Sequence, residues 1–413
     1  MRIMFMAQCY TPEDVSAAVL IAELAIDLVK RGHQVTVVTG APSYPYGRVF
    51  PGYRNPLYQV EWLDEVRVVR TWSYISPAKS FWPRILHYGT YSVTAFYGGL
   101  LAGGADVVVS YSPPLPLGMS AWLLSRLWRV PWVLQLEDLY PEAAVTVGVL
   151  RNRNAIAFFA DMERYLYRHA THISVISESF RRNLLGKEVS PEKITVIPVW
   201  ADPDVVRPLP KENSFRERLG LDGKFAVMYA GNLGLTSCLE DVLAAAELLK
   251  ESEDIHFVLI GEGVKKPALE RGVRDKGLRN ITFLPYQTRE IFPMMMAAAD
   301  LHLVTLNRGS TLTSLPSKTF NIMASARPML AVVSPESEVA HMVEEAGCGV
   351  VVPSEQPQQL ADVILRLRHQ PDQLLVMGRN GRALLESRFS RECCSDAYEC
   401  MLEKLCQEAG RTL

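Results

Sequence analysis

Short apolar runs alternate with longer segments of helical period along nearly the whole chain. The runs at 3–5, 34–38, 66–72, 107–111, 132–136, 173–175 and 194–198 read as strands, and 34–38 is largely apolar, as strands are when both faces of their sheet are covered. Helix-length segments separate them: one ending near Arg31, then 83–103, 117–128, 155–169 and 179–186. Gly32 stands where a helix C-cap wants a left-handed residue, and His33 after it reads as a turn residue. Strand and helix in alternation predict a parallel sheet wrapped by helices. Residues 40–56 break the rhythm, with seven prolines or glycines among Tyr44, Tyr46, Phe50 and Tyr53. Unstructured loops of that length are usually functional.

Residues 201–222 change character. Pro203, Pro208 and Pro210 fall among charged residues with no long apolar run, which predicts an interdomain linker. The alternation then resumes, with strands at 226–229, 256–260, 281–284, 301–304, 329–333 and 349–352. Helices are expected at 239–250, 266–276, 290–298 and 339–345, and from about Pro357 to the end. The expected organisation is α/β throughout: a Rossmann-like domain at 1–200, the linker at 201–222, a second Rossmann-like domain at 223–390 and a terminal helix at 391–413. Two such units in tandem leave a cleft, and ligands of open α/β sheets bind outside the carboxyl ends of the strands.

Composition narrows the class. At 413 residues, 48% hydrophobic and 21% charged, the chain has the make-up of a globular protein and room for two domains. A net charge of −2 gives no reason to expect a nucleic-acid partner. The charge is uneven, however: residues 1–200 hold 19 Lys and Arg against 16 Asp and Glu, and the remainder hold 24 against 29. The basic excess of the first half points to an anionic partner such as a membrane surface. Seven cysteines without metal-ligand spacing read as reduced, intracellular thiols. The N-terminus runs straight into a strand pattern, with no cleavable signal. Residues 85–105 contain no Asp, Glu, Lys or Arg and are long enough to span a bilayer. They lie between two strands of one sheet, though, and carry His87, Tyr88, Tyr91, Tyr97 and two glycine pairs. A buried or membrane-resting helix is expected rather than a span, with Trp82, Arg84, Tyr91 and Phe96 in the segment that would meet lipid.

Candidate chemistry concentrates in the second half. The stretch Thr313-Ser314-Leu315-Pro316-Ser317-Lys318-Thr319-Phe320-Asn321 reads as a loop and a helix start. Pro316 suits a first helical turn, and free N–H groups with the helix dipole favour an anion there. Ser317 and Lys318 sit near that start, Lys318 adds a formal charge, and Asn321 follows on the same face. An ordinary capped helix would read the same way. Three loops follow strands on the same edge: Ala230-Gly231-Asn232-Leu233-Gly234, Gly261-Glu262-Gly263 and Pro285-Tyr286-Gln287. Their glycines let backbone approach a phosphate, and with Lys318 they predict a nucleotide pocket. The first strand leads into Ala7-Gln8-Cys9-Tyr10 without glycine, which argues against a dehydrogenase. Walker and zinc-helix motifs are absent from the sequence. In the first half, Glu137 and Asp138 end a buried strand, where a carboxylate could take a hydroxyl proton or cap the next segment.

Taken together, these residues resemble the retaining GT-B glycosyltransferases of family four. The likeness rests on Tyr10-Thr11-Pro12-Glu13, the run from Lys30 to Gly40, Ser43-Tyr44-Pro45, Ser112-Pro113-Pro114, Glu137-Asp138-Leu139-Tyr140-Pro141-Glu142 and the run from Lys193 to Pro198. In the second half it rests on Tyr229-Ala230-Gly231-Asn232-Leu233-Gly234, the Gly261 loop, Phe283-Leu284-Pro285-Tyr286 and the Lys318 stretch. The branch it is most similar to builds O-antigen, capsule or exopolysaccharide repeat units and includes N-acetylfucosaminyl-type transferases. The resemblance implies two Rossmann-like domains facing a cleft, with the last helix crossing back to the first. It implies a UDP-sugar donor bound by Gly231, Asn232, Leu233, Gly234, Gly261, Glu262, Tyr286, Ser317, Lys318 and Asn321. It also implies an acceptor on the first domain, a sugar on a polyprenyl diphosphate at the cytoplasmic face of the membrane. Asp138 is the expected base, with Glu13, Glu137 and Glu142 as further acceptor-side candidates. Neither a metal nor another cofactor is expected, because basic side chains and helix dipoles stabilise the leaving diphosphate in this fold.

The chain departs from the family pattern in four places. Thr313 and Asn321 stand where two glutamates eight apart are common, and Asn232 and Ser237 stand where an Arg and a Lys are common. Asn321 can still bond ribose hydroxyls, and Lys318 with the free N–H groups near Leu233 and Gly234 is expected to carry the diphosphate, Arg308 standing in reserve. Two other readings share these residues: a sugar-nucleotide epimerase, and a nucleotide-sugar-binding subunit without turnover.

Overall fold

The computed structural model describes residues 1–78, 81–146, 148–311 and 313–410. The side chain of Phe81 and the last three residues of the expected 391–413 helix lie outside the described residues. The chain divides into two compact units, Met1–Pro198 with Cys394–Leu413, and Val199–Cys393.

The first unit holds β1 (Arg2–Met6), β2 (Gln34–Gly40), β3 (Tyr58–Leu63), β4 (Val66–Thr71), β5 (Val107–Ser112), β6 (Trp132–Leu136), β7 (His172–Val175) and β8 (Ile194–Val196). They form one sheet in the order β3-β4-β2-β1-β5-β6-β7-β8. Pairing is parallel from β4 through β8, while β3 runs antiparallel to β4 with Tyr58 opposite Thr71. Every residue of β5 and β6 is buried, which is why both read as unbroken apolar runs. Strand β3 escaped the sequence reading because it is a largely exposed edge and carries no such run.

The helix Phe81–Ala102 lies on β2 and β4. A Cβ on Gly98 would run into Thr71, and one on Gly99 into Leu124, so the glycines set the close approach to sheet and neighbouring helix. Tyr91 corrects the expectation of a lipid-facing residue. It is fully buried, and its hydroxyl lies 2.6 Å from the Ala7 carbonyl and 2.9 Å from that of Val38. Phe96 is half-buried. Among the described residues no helix is long and apolar enough to cross a membrane.

From Cys394 onward the last helix, Arg391–Glu408, belongs to the first unit. Tyr398 donates to Gln135 Oε1 at 2.7 Å, and Ser395 bonds Asp27 at 2.9 Å. Glu399 meets both Arg31 (2.7 Å) and His33 (2.8 Å), so the turn histidine after the first helix has a structural partner.

The second unit holds β9 (Phe225–Ala230), β10 (Ile255–Ile260), β11 (Ile281–Leu284), β12 (Leu301–Thr305), β13 (Met329–Val332) and β14 (Gly349–Val352). The order is β11-β10-β9-β12-β13-β14, parallel throughout. Chain direction across the sheet switches at β9, flanked by β10 and β12, and that is where a doubly wound sheet opens a crevice. Residues 201–222, expected as a linker, are part of this unit. Asn213 caps the short helix Ser214–Arg218, and Arg216 is buried with a 3.1 Å ion pair to Asp300. Its guanidinium also donates to the Leu221, Lys224 and Ala298 carbonyls. The segment reads as solvated because its charged and proline residues hide a satisfied buried cation.

Candidate functional site

The loops after β9, β10 and β11 stack at the switch point of the second unit. The strand ladder continues one residue beyond the strands, with Gly231 N–H donating to Ile260 and Gly261 N–H to Leu284, both at 2.9 Å. Gly261 has φ +143°, and any Cβ there would run into the Gly231 carbonyl; a Cβ on Gly263 would run into that of Leu233. Glycine is therefore required for these loops to lie this close.

Lys318 opens the helix Lys318–Ala324 and reaches over this stack. Its Nζ lies 3.4 Å from the centre of the Tyr229 ring and close enough to Gly231 that a Cβ there would be 2.7 Å away. Burial pushes the ammonium down to about 7, and among the described residues no carboxylate offsets that cost. Lys318 is half-buried, and a cation on an aromatic face with no carboxylate beside it has lost part of its hydration, which an incoming anion can replace. Asn321 is half-buried one turn on, and Tyr286 is 51% exposed, with its ring edge beside Gly261.

Several expected contacts are reassigned. Leu233 is a core residue whose N–H donates to Glu262 O at 2.9 Å and whose carbonyl accepts from Lys265, so its N–H is not free for a phosphate. At the helix start, Thr319 and Phe320 N–H groups bond back to Pro316 and Ser317 carbonyls, which leaves fewer free donors than the sequence suggested. Ser317 makes no side-chain cap. Glu262 forms a 2.6 Å ion pair with Lys266. Asn232 is exposed, its carbonyl takes the Tyr229 hydroxyl at 2.8 Å, and its side chain lies beside Gly234. Arg308 pairs with Glu355 at 3.5 Å.

Two residues of this edge were missed. Tyr229 looked like an ordinary buried strand residue, and only the fold brings Lys318 onto it. Lys265 places its Nζ 2.7 Å from the Ser237 carbonyl and 2.9 Å from Glu240. The loop after β10 thus brings a cation, paired with Glu240, beside Ser237, where the resemblance implied a lysine. The pair Lys265-Lys266 after Gly261-Glu262-Gly263 was the available signal.

In the first unit, the carboxylates of the strand ends fall into distinct environments. Glu13 is buried, and its carboxylate accepts from Ser43 N (2.8 Å), Tyr44 N (2.7 Å) and Tyr10 N (3.2 Å). Burial still raises its pKa, and its bonds to three backbone N–H groups let Glu13 fasten the start of the 40–56 loop. Glu142 is half-buried and bonds Lys187 (2.9 Å) and Asn183 (3.0 Å). Glu137, bonded to Gln135 at 3.1 Å, is pushed up to about 7 by burial, and Asp138 to about 6 for the same reason. Asp138 acts on the Tyr88 hydroxyl, and Arg84 acts on Tyr44, Tyr88 and Tyr140. Asp138 alone of these four carboxylates combines an elevated pKa with no hydrogen-bond partner among the described residues.

Two Rossmann-like α/β units in one chain, each with its ligand-type loops at the carboxyl ends of a parallel sheet, are the parts of a GT-B enzyme. The comparisons agree. Residues 17–200 match the glycosyl transferase 4-like domain, and 211–384 match the glycosyl transferases group 1. The putative colanic acid biosynthesis glycosyl transferase WcaI of Escherichia coli (strain K12) is 28% identical, over 87% of this chain and 90% of that protein. The probable glycosyltransferase WbjE of Pseudomonas aeruginosa is 30% identical, over 74% and 76%. In fold the chain is similar to the sucrose-phosphate synthase of Thermosynechococcus elongatus, with TM-score 0.77, 18% identity and coverage of 98% and 99%. It is also similar to HepE of Anabaena in complex with UDP, with TM-score 0.72, 15% identity and coverage of 98% and 100%. The chain belongs to the group 1 glycosyltransferases and has their GT-B fold.

Proposed function

We propose that this glycosyltransferase moves a hexosyl or N-acetylhexosaminyl unit from a UDP-sugar to a hydroxyl of a polyprenyl-diphosphate-linked saccharide, with retention at the anomeric carbon, at the cytoplasmic face of a membrane. The observation that carries the donor half is Lys318, a desolvated cation stacked on Tyr229 against the Gly231 loop. In this reading Lys318 meets the diphosphate, Asn321 the ribose and Tyr286 the base. The acceptor hydroxyl gives its proton to Asp138 while its oxygen bonds the anomeric carbon. The bond from that carbon to the diphosphate breaks with its electron pair on the phosphate oxygen, and the Lys318 ammonium stabilises the charge that develops. Because the protein supplies that cation, the reading is metal-independent. HepE was solved in complex with UDP, and WcaI is named for colanic acid synthesis, which supports a UDP-sugar and a surface polysaccharide.

The acceptor half draws support from the outer face of the first unit. The Phe81–Ala102 helix exposes Trp82, Leu86, Val93, Tyr97 and Leu101 at helical spacing. Tyr58 and Val60 of β3 pair with Thr71 and Val69, which the same helix covers, so the exposed β3 face continues that apolar strip. With the basic excess of the first half, the strip fits an anionic bilayer surface. Calorimetric titration with UDP, GDP and ADP, with and without EDTA, tests the donor. Selective UDP binding that survives EDTA is expected, and no nucleotide binding would overturn the reading. Sedimentation with anionic liposomes tests the face: Trp82→Glu should release the protein, and equal binding by the variant would refute the contact.

A further inference from the structure

A cavity opens on the donor-side edge of the second unit. It has a volume of about 300 Å³ and is lined by Arg308, Ser334, Pro335, Glu336, Pro353 and Ser354. These residues come from the ends of three neighbouring strands: Arg308 follows β12, Ser334 to Glu336 follow β13, and Pro353-Ser354 follow β14. The volume is at the lower end of ligand clefts, which run from about 300 to 1,000 Å³, and it suits a single ring better than a nucleotide.

The lining is specific in chemistry. Arg308 offers only donors and Glu336 only acceptors, while the Ser334 and Ser354 hydroxyls can do either. A sugar hydroxyl is itself donor and acceptor, so this mixture matches a polyol. Pro335 and Pro353 add apolar C–H surface against which a pyranose face can lie. Ser354 is 2% exposed, and its hydroxyl has no partner. Ser310, 1% exposed in the turn that begins at Arg308, has an unpartnered hydroxyl as well. Buried hydroxyls are normally bonded, and the orphan Ser354 hydroxyl in the cavity wall marks a place where a polar ligand completes the set. The Thr311 hydroxyl, by contrast, is already bonded to Ser334 at 3.1 Å. Charge sets a limit on the ring. Arg308 is balanced by Glu355 at 3.5 Å, and Glu336 remains, so an anionic sugar is disfavoured.

We propose that this cavity binds a neutral pyranose ring and thereby sets sugar specificity, resting for its biological context on the nucleotide-sugar reading of the same edge. β13 is two strands from β9, about 10 Å at the usual strand spacing, within reach of the sugar end of a donor whose diphosphate lies at Gly231. A ring from the donor or from the acceptor would satisfy the same groups.

The experiment uses the full chain and the variants Glu336→Ala and Arg308→Ala, both side chains being exposed, with melting curves confirming the fold. UDP, UDP-glucose, UDP-galactose and UDP-N-acetylglucosamine are titrated by calorimetry. Glucose, galactose and N-acetylglucosamine are tested free, by saturation-transfer NMR in the presence of UDP. The expected result for Glu336→Ala is UDP affinity unchanged within about twofold and at least one UDP-sugar weakened about tenfold or more, the loss of a hydrogen bond to a charged group. That outcome places the donor ring in the cavity. Unchanged UDP-sugar affinity, with a free-sugar signal present in the parent and lost in the variants, places an acceptor ring there. Indistinguishable behaviour of parent and variants toward every sugar overturns the proposal. If UDP does not bind the parent, the nucleotide reading falls, and the free-sugar arm still decides the cavity.

Discussion

Donor binding should take up a proton, and Lys318 is the reason. Burial holds its ammonium at about 7 instead of 10.5, so at pH 8 roughly nine molecules in ten carry it neutral. A diphosphate placed beside Nζ favours the charged form, and an opposite charge at such a distance raises a pKa by about one to three units. Lys318 then returns to about 8 or above in the complex. The uptake at pH 8 is accordingly about 0.4 to 0.9 proton per ligand, and near zero at pH 5.5, where free and bound forms are both protonated. Calorimetry with UDP-glucose in buffers of different ionisation heat measures this number directly. UDP-glucose is preferred to UDP because its diphosphate is esterified at both ends and does not titrate in this range. The Lys318→Met variant should lose both the uptake and most of the affinity. The stability sign runs the other way. Between pH 7 and 10.5 the unfolded chain binds the proton that the folded chain does not, so this lysine makes stability rise with pH over that window. The fall from 10.5 to about 7 corresponds to at most about 5 kcal/mol against the ammonium at neutral pH. Lys318→Met should therefore melt higher than the parent at pH 7 while binding donor worse. Parent protein that binds UDP-glucose at pH 8 with no proton uptake would refute the argument that the ligand meets a neutralised lysine.

Three further outcomes follow from the same geometry. Asp138→Asn should lower kcat at least about a hundredfold with little change in donor affinity, whereas Glu142→Gln, which only breaks the contact to Lys187, should lower the melting temperature and spare kcat; steady-state kinetics beside melting curves separates them. Glu137 titrates at about 7 in the fold against an ordinary 4.5, so the folded state holds an extra proton between those values and stability falls as pH rises through them. Glu137→Gln should accordingly stabilise the protein more at pH 8 than at pH 5, by at most about 3 kcal/mol, read from denaturant midpoints at the two pH values. Arg216→Ala leaves Asp300 to Lys211 and the Ala226 N–H but strips the Leu221, Lys224 and Ala298 carbonyls of their buried donor, and should cost about 3 kcal/mol or more, although its neighbourhood reads as a linker; an unchanged urea midpoint would contradict the buried cation.

What the sequence determined by itself was what depends on near neighbours. Apolar runs such as 107–111 and 132–136 mark strands because a strand covered on both faces must be apolar throughout. The glycines after β9 and β10 mark loops that need close backbone approach, and Lys318 with Asn321 three residues on marks one face of a helix. Those signals were enough for the α/β class, the family and the side of the second sheet where the candidate groups stand. Strand β3 was not legible, because an exposed edge is under little demand to be apolar. Other features depended on partners distant in sequence, and only the tertiary structure decided them. Lys318 is 89 residues from the Tyr229 ring it covers, Glu142 spends its charge on Lys187, Tyr91 turns inward to the ends of β1 and β2, and Leu233 gives its N–H to Glu262. Residue type and spacing say which groups can bond, but the competition among partners is settled by which of them folding brings within 3 Å, and that remains a property of the packed chain.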